Sequence, residues 1–213
     1  MAEAIALIDY GAGNLHSVHN ALMAAGVEQI AITADPDLVR GAQRIVLPGV
    51  GAFRSCAEGL RAIPGMVEAL EERVLEGGVP FLGICVGMQL LATRGLEHGE
   101  TPGLGWIAGE VAPIARTDPA IKVPHMGWND VQPMARHAVD QFGAELVEPG
   151  EAYFLHSYHF APEEGRDIAA MTDHGGGLVA AVRRDNILGV QFHPEKSQRY
   201  GIGLLARFLD WRP

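Results

Sequence analysis

Short apolar segments alternate with helical patterns through the first half of the chain, and this alternation constrains the fold more than any other feature. The segments are AIALID, QIAIT, RIVLP and VPFLGIC. After the first segment, Leu15, Val18, Leu22 and Ala25 recur at helical spacing, and Gly26 supplies a C-terminal stop. Apolar strands that alternate with helices favour a parallel sheet covered on both faces.

The second half changes to short strands with few helices between them. The strand-like segments are GWIAGEVAPI, KVPHMGWNDV, AYFLHSYHF, IAAMT, LVAAV and ILGVQF, and VRRDNIL is typical of a hairpin turn. VGMQLLATRG is predicted to begin a helix after the fourth strand, and a last helix is predicted over about 200–209. Because the chain has no internal repeat or linker, we predict one α/β domain spanning 1–213. Its core is a three-layer, mostly parallel open sheet with antiparallel additions in the C-terminal half.

Composition limits the partners and the compartment. The chain has 213 residues, 48% of them hydrophobic, and a formal net charge of −10. This charge argues against a nucleic acid or an anionic membrane as partner, because both would repel it. No apolar stretch is long enough to span a bilayer, the N-terminus lacks a basic signal region, and two cysteines make a poor disulfide framework. We therefore expect a cytoplasmic protein with Cys85 outside any disulfide.

Cys85 lies between two glycines where a predicted strand meets a predicted helix. The motif GICVG at 83–87 has the form G-x-C-x-G. In such a turn the nucleophile rises above the sheet, the glycines avoid backbone clashes, and the helix N-terminus favours a thiolate. The Val86 N–H would then supply half of an oxyanion hole. These five residues alone leave a buried, inert cysteine equally open, and Cys56, in the predicted helix AFRSCAEGL, is interpreted as such a core residue.

A candidate base follows the last predicted strand, in QFHPE at 191–195. Pro194 biases His193 toward an extended conformation, in which residues two apart point to the same side. Glu195 is therefore predicted to contact one imidazole nitrogen of His193 and to leave the other for the Cys85 sulfur. Because ligands in open α/β sheets bind at the carboxyl ends of strands, a nucleophilic Cys-His-Glu site is favoured over an ordinary surface loop.

The motifs GICVGMQLL and QFHPEKS resemble those of the class I glutamine amidotransferases, whose Cys-His-Glu triad hydrolyses glutamine. Within this class the chain is similar to the glutaminase subunits of imidazole glycerol phosphate synthases, which act in histidine biosynthesis. The similarity rests on IDYGAGNLHSVHNAL, LPGVGAF, PHMGWN, YFLHSYHF and GVQFHPEKS, in the family's order over almost the whole chain. The resemblance implies that Cys85 attacks the glutamine amide to form a γ-glutamyl thioester, that His193 transfers protons, and that Glu195 supports the imidazolium.

The resemblance also implies which residues hold glutamine. Gln89 and Glu97 match substrate-binding positions, and a negative Glu97 suits the substrate's ammonium. The residues expected to contact glutamine are Gly51, Gln89, Glu97, Ser157, Tyr158 and His159. No cofactor is implied and no metal is predicted. His156 and His159 are three apart in a predicted strand and so face opposite sides, which argues against a metal pair.

The segment PGVG at 48–51 follows the third predicted strand, next to the Cys85 strand. Its backbone at Val50 and Gly51 is expected to complete the oxyanion hole with Val86. Because glycine adopts positive φ readily, the Gly49–Val50 peptide can turn over at low cost. We hypothesise that a carbonyl points into the hole when the subunit is isolated, and that partner and ligand binding favour the turned-over form. An ordinary glycine turn is the alternative.

Ammonia released into water would be protonated and lost, so a channel to a second site is expected. The resemblance implies a heterodimer with a (β/α)8-barrel cyclase subunit, which uses the ammonia to make imidazole glycerol phosphate and aminoimidazole carboxamide ribotide (AICAR). Residues in motifs that the family directs toward this partner are Asn14, Met126, Trp128, Asn129 and Lys196. Of these, Trp is the residue type most often found in interface hot spots.

Three other functions stay open at this point. A stand-alone γ-glutamyl hydrolase would use the same cysteine turn without an obligate partner. A glutaminase of another synthase, such as the pyridoxal phosphate enzyme, would share the triad but not PHMGWN or YGAGN. A non-catalytic scaffold subunit would keep the fold, but the complete set of Cys85, His193 and Glu195 argues against it.

Overall fold

The computed structural model describes residues 4–116, 118–119, 121–134 and 146–213. Within these ranges the α-helices are α1 Leu15–Ala24, α2 Pro36–Arg40, α3 Phe53–Ala62, α4 Met66–Glu71, α5 Val86–Gln89 and α6 Gln198–Asp210. The strands of the first half are β1 Ile5–Ile8, β2 Ile30–Thr33, β3 Arg44–Gly49, β4 Phe81–Cys85, β5 Arg94–Gly95 and β6 Thr101–Pro102. Those of the second half are β7 Gly109–Pro113, β8 His125–Pro133, β9 Gly150–His156, β10 Tyr158–Pro162, β11 Ile168–Asp173, β12 Gly177–Arg184 and β13 Ile187–Val190.

A nine-stranded sheet forms the centre of the molecule, in the order β2-β1-β3-β4-β13-β12-β11-β8-β9. The strands from β2 to β13 in this order pair in parallel, and the pairs from β13 to β9 are antiparallel. The predicted parallel half with antiparallel additions is therefore confirmed. The strands β1, β3, β4 and β13 are buried along their whole length, as expected for strands covered on both faces.

Helices cover both faces of this sheet. The connection from β1 to β2 runs in one direction along the sheet, and those from β2 to β3 and from β3 to β4 run in the other. Because parallel crossovers are right-handed, α1 lies on one face and α2 to α4 lie on the opposite face. α1 packs on α6, while α2 and α3 pack on α4, and this arrangement gives three layers. Gly26 stops α1 as predicted, with φ +109° just beyond the C-cap Ala25.

Two sequence-based predictions differ from the structure. The helix predicted from VGMQLLATRG is a single turn, α5, because the Leu90 and Leu91 carbonyls accept from the Leu104 and Ile107 N–H groups instead of continuing the helix. The strand predicted over AYFLHSYHF breaks at Ser157. β9 stays in the large sheet, and β10 joins a separate four-stranded sheet in the order β10-β7-β5-β6.

The carboxyl ends of β3, β4 and β13 meet at one edge of the large sheet. Gly49 at the end of β3 pairs with Cys85 at the end of β4, and Val190 of β13 pairs with Ile84. The residues just beyond these ends therefore come together. Within the described ranges, no helix has both the length and the apolar character needed to cross a bilayer.

Candidate active site

Cys85 occupies a strained turn between β4 and α5. Its backbone has φ +54° and ψ −110°, which non-glycine residues rarely adopt outside functional sites. A Cβ on Gly83 would lie 2.7 Å from the Gly87 carbonyl oxygen, and a Cβ on Gly87 would lie 1.9 Å from the Leu47 carbonyl oxygen. The prediction that neighbouring backbone demands glycine on both sides of Cys85 is confirmed.

His193 and Glu195 lie together behind the cysteine. His193 is extended, with φ −101° and ψ +99°, and its Nδ1 lies 2.8 Å from Glu195 Oε1. The predicted His193–Glu195 contact is therefore confirmed. Both side chains are buried, and the backbone N–H of His193 donates to the Tyr153 carbonyl, which fixes the ring next to β9.

The remaining side of the imidazole interacts with the cysteine. Burial alone would lower the pKa of His193, but hydrogen bonds to Cys85 and Glu195, together with their charges, raise it to about 9. The imidazolium is therefore the favoured form at neutral pH. A sulfur nucleophile beside a buried imidazolium that a carboxylate supports can open an amide or an ester through a covalent acyl intermediate.

The PGVG segment is held by two side chains from the elements around it. Tyr10 Oη donates to the Pro48 carbonyl at 2.7 Å, and Cys56 Sγ lies 3.4 Å from the Val50 carbonyl oxygen. Cys56 is buried in α3, as predicted for a core residue, but this contact was not predicted. Because the C=O and N–H of a trans peptide point in opposite directions, the Gly51 N–H is directed away from Cys56.

A cavity of about 520 Å³ opens at this edge of the sheet. It brings together the cysteine, the histidine, the PGVG backbone and most of the residues expected to hold substrate. The predicted residues among its lining are Asn14, Val50, Gly51, Cys85, Val86, Gln89, Glu97, Ser157, Tyr158, His193 and Lys196. Pro124, Leu155 and His156 also line it and were not predicted.

Other predicted residues lie outside the described lining of this cavity. Glu195 lies behind His193, and His159 is held in β10, where burial lowers its pKa. Met126, Trp128 and Asn129 belong to β8. A larger cavity of about 1050 Å³ lies beside the site and shares Pro124 with it, but its described lining contains no cysteine, serine or threonine.

Gln89 and Glu97, which both line the cavity, make specific hydrogen bonds with other elements. Gln89 Nε2 donates to the Tyr158 carbonyl at 3.0 Å, so the short helix α5 is tied to the break between the two sheets. Glu97 Oε2 accepts from the Phe53 N–H at 2.7 Å, where α3 begins. A carboxylate at a helix N-terminus is stabilised by the free N–H groups and the dipole there. Glu97 therefore holds α3 and also presents negative charge to the cavity.

Strand β8 presents apolar side chains beside the cavity mouth. Met126 is 63% exposed and Trp128 is 47% exposed, which is unusual for residues of this size. Trp128 packs edge-on against Tyr153, and Lys196 Nζ lies 5.8 Å from the centre of the same tyrosine ring. Asn129 is held by hydrogen bonds to His125 and to the Asp173 carbonyl.

Within the described part of the chain, no group of three or more histidine, cysteine, aspartate or glutamate residues is arranged to hold a metal ion. Gln191, which is fully buried beside Cys85, was also missed by the sequence analysis. A polar residue at the end of the apolar run ILGV was the available signal, because a buried polar side chain needs partners.

Comparison with known proteins shows the family of the chain. Residues 6–210 match the family described as glutamine amidotransferase class-I. The imidazole glycerol phosphate synthase subunit HisH of Zymomonas mobilis is 59% identical over 100% of this chain and 98% of its own length. The HisH subunit of Caulobacter vibrioides is 51% identical over 99% of this chain and 100% of its own length.

Solved structures with low sequence identity share the fold. A putative GMP synthase subunit from Thermoplasma acidophilum has a TM-score of 0.68 at 22% identity, covering 99% of this chain and 94% of its own. The PurLQS structure from Thermotoga maritima has a TM-score of 0.66 at 18% identity, covering 99% of this chain and 96% of its own. The chain belongs to the class-I glutamine amidotransferase family and, within it, to the family of HisH subunits.

Proposed function

We propose that the chain hydrolyses L-glutamine to glutamate and ammonia and passes the ammonia to the cyclase subunit of imidazole glycerol phosphate synthase, in histidine biosynthesis. The observation that carries this proposal combines the site with the relatives. Cys85 lies in a strained turn beside the His193–Glu195 pair, and relatives named as the HisH subunit are 48% to 59% identical over nearly their whole length. The relatives favour this function over a stand-alone γ-glutamyl hydrolase or the glutaminase of a pyridoxal phosphate synthase.

The first chemical step is attack of the Cys85 sulfur on the side-chain amide carbon of glutamine. The C–S bond forms as the carbonyl π electrons move to oxygen, and a tetrahedral oxyanion results. Two N–H groups are suited to that oxygen. Val86 is the first residue of α5, so its N–H has no partner within the helix. The second donor is assigned to the PGVG segment, which lines the cavity: either the Gly51 N–H, which is directed away from Cys56, or the Val50 N–H after the Gly49–Val50 peptide has turned over.

The second step releases ammonia. The C–N bond breaks as the His193 imidazolium donates its proton to the departing nitrogen, and the γ-glutamyl thioester remains on Cys85. Glu195 supports the positive ring through Nδ1. Water then attacks the thioester carbon with His193 as the base. The C–S bond breaks, glutamate leaves the site, and the Cys85 sulfur is free for the next cycle.

Substrate orientation is assigned to other residues that line the cavity with Cys85. Gln89 and the backbone of Ser157 and Tyr158 are assigned contacts with glutamine, and Glu97 supplies a negative group for its ammonium. His159 is not among the described residues that line the cavity, and it is assigned a supporting role as the residue that follows Tyr158 in β10.

The binding surface for the partner subunit is assigned to the exposed face of β8 and the mouth of the cavity. The exposed Met126 and Trp128 lie in one strand with Asn129, and Asn14 and Lys196 line the cavity itself. Exposed apolar side chains beside a catalytic cavity are suited to contact a subunit that receives ammonia directly. We propose a heterodimer with a (β/α)8-barrel cyclase, a single glutaminase domain over 1–213, and a cytoplasmic location.

A reconstituted assay tests this function. The purified chain is combined with the purified cyclase subunit of the same organism and its ribotide substrate, and imidazole glycerol phosphate is measured with glutamine or with an ammonium salt as nitrogen source. Both sources should yield product, and glutamate should form faster in the complex than from the chain alone. Product from ammonium but not from glutamine would overturn the proposal, and full-rate hydrolysis without the partner would overturn the peptide switch at Gly49–Val50.

The raised pKa of His193 predicts how kcat/KM for glutamine falls at high pH. A group with a pKa of about 9 is protonated at neutral pH and loses its proton as the pH rises through that value. Because the imidazolium protonates the leaving ammonia, kcat/KM of the complex for glutamine should fall above about pH 9. kcat/KM reports the groups of the free enzyme.

The variant Glu195→Gln checks this assignment. Glu195 raises the pKa of His193 by its hydrogen bond and its charge, so the neutral amide should move the basic limb to lower pH. Initial rates between pH 6 and pH 10 measure the limb in both proteins. An identical basic limb in Glu195→Gln would mean that another group sets it.

Replacing Trp128 should weaken the complex. A large aromatic side chain that is 47% exposed in the free chain is the type that anchors interfaces, and its truncation should raise the Kd for the cyclase about 10- to 100-fold. Leu38→Ala provides a matched control, because Leu38 is 53% exposed on α2, next to the opposite edge strand β2. Titration calorimetry with both variants measures the difference, and equal Kd values would place the interface elsewhere.

A further inference from the structure

Gln191 is a fully buried polar residue that touches the nucleophile. Its Nε2 lies 3.7 Å from Cys85 Sγ, within reach for a hydrogen bond to sulfur. Its Oε1 accepts from Gln89 Nε2 at 3.0 Å. The backbone N–H of Gln191 donates to the Ala180 carbonyl of β12, so the residue is anchored in the sheet. Both ends of its amide are therefore engaged, one of them with the reacting atom.

The neighbouring backbone fixes which end of this amide faces the sulfur. The Tyr158 carbonyl can only accept, so Gln89 must direct its NH2 group toward it. The second proton of that NH2 group then meets Gln191, which must present its oxygen. The NH2 group of Gln191 is left facing Cys85. A flip of either amide would bring two acceptors or two donors together.

The Tyr158 carbonyl is itself held by a second donor. His156 Nδ1 lies 2.9 Å from it, and His156 Nε2 lies 3.0 Å from His125 Nδ1. Burial lowers the pKa of His156 to about 3 and that of His125 to about 4. Each ring is therefore neutral, with one donor and one acceptor. Asn129 Nδ2 lies 3.0 Å from His125 Nε2 and is the last member of this series of hydrogen bonds.

We propose that Gln191 is a further catalytic residue, which holds the Cys85 sulfur for attack by donating its amide N–H to it, with Gln89 and the Tyr158 carbonyl fixing the orientation of that amide. The hydrogen bond becomes charge-assisted when the sulfur is a thiolate. The inference deepens the proposed glutaminase function and rests on it for its part in turnover. The contact with the sulfur stands independently of the substrate.

The test measures the nucleophile directly. Cys85 is alkylated with iodoacetamide across a range of pH in the purified full chain, and peptide mass spectrometry separates its labelling from that of Cys56. The variants are Gln191→Met, which keeps the length and loses the donor, and Gln191→Glu, which keeps an acceptor for Gln89 but removes the NH2 group from the sulfur. The other titratable groups that interact with Cys85 are His193, Tyr10 and Cys56, and both variants retain them. Gln191→Glu adds a carboxylate beside the sulfur, so Gln191→Met, which adds no charge, isolates the loss of the donor.

The expected result is a fall of about 10- to 100-fold in the alkylation rate at neutral pH, because hydrogen bonds to charged groups are of this strength. The alkylation profile should also shift to higher pH, and kcat for glutamine should fall more than KM rises. A role confined to folding would lower the melting temperature without shifting the profile. Wild-type alkylation rates and profile in the folded Gln191→Glu or Gln191→Met chain would overturn the proposal.

The two hypotheses fail separately in this design. If the wild-type chain does not hydrolyse glutamine with its partner but the Gln191 variants still slow and shift the alkylation of Cys85, the glutaminase function is wrong and the contact with the sulfur stands. If the wild-type chain hydrolyses glutamine and the variants are alkylated as the wild type is, the inference about Gln191 is wrong and the function stands.

Discussion

Cys85→Ala should abolish glutamine hydrolysis, with kcat lower by a factor on the order of 10⁴–10⁶, because a catalytic triad acts as a unit and loses most of its effect with one member. The sulfur is the only side-chain atom in the proposed mechanism that forms a bond to the substrate carbon. Glutamate release from the complex with the cyclase is the measurement. The same complex supplied with an ammonium salt should still make imidazole glycerol phosphate, because cyclisation occurs on the other subunit.

Cys56→Ser is the matched control for this experiment. Cys56 is also buried, and serine retains a hydroxyl donor for the Val50 carbonyl. A glutamine-mimicking alkylator should label the wild type and Cys56→Ser at Cys85 and should leave Cys85→Ala unlabelled. Hydrolysis at the wild-type rate by Cys85→Ala, or labelling of the wild type at Cys56 and not at Cys85, would remove Cys85 from the mechanism.

Several elements of the fold follow from local patterns in the sequence. The run of apolar residues in β1, β3 and β4 is continuous because both faces of these strands are covered, and Gly26 ends α1 by adopting a positive φ. The hairpin predicted over VRRDNIL is the turn between β12 and β13, with φ +48° at Asp185. Each of these features depends on a few neighbouring residues, so a sequence pattern can specify it.

Features that depend on contacts between residues distant in the sequence have no local pattern that predicts them. The residues after α5 have a helical pattern, but their carbonyls bond to Leu104 and Ile107, more than a dozen positions away. The segment AYFLHSYHF has the pattern of one strand. It is divided because the Ser157 carbonyl accepts from the Ile114 N–H while β9 pairs with β8, and local periodicity contains no information about that competition.

The residues of the site differ in the same way: contacts between residues close in sequence could be predicted, and contacts between distant residues could not. The Cys85 turn and the His193–Glu195 contact are both formed by residues close in sequence, and both could be predicted from motifs. The contact of Gln191 with Cys85 depends on the parallel register of β13 with β4, which pairs Val190 with Ile84. The second donor to the Tyr158 carbonyl, His156, lies on the other side of a strand break that the sequence pattern does not indicate.

Gly87→Ala should destabilise the protein by about 3 kcal/mol, at the upper end of the usual cost of overpacking a core. Helix propensity alone favours alanine over glycine in α5 by about 1 kcal/mol. The steric effect is larger, because the new Cβ would lie 1.9 Å from the Leu47 carbonyl oxygen and backbone of β3 would have to move. That shift would also displace Cys85 and the Val86 N–H, so glutaminase activity should fall with stability.

Urea unfolding of the wild type, Gly87→Ala and Gly41→Ala measures this effect. Gly41 is the matched control because its φ of −83° suits alanine and the nearest atom to a new Cβ is a carbonyl oxygen at 3.6 Å. Gly41→Ala should change the free energy of unfolding by less than about 1 kcal/mol, with stabilisation the expected sign, since alanine reduces the entropy of the unfolded chain. If Gly87→Ala unfolded at the same urea concentration as Gly41→Ala, the close contact between β3 and α5 that shapes the Cys85 turn would not exist in solution.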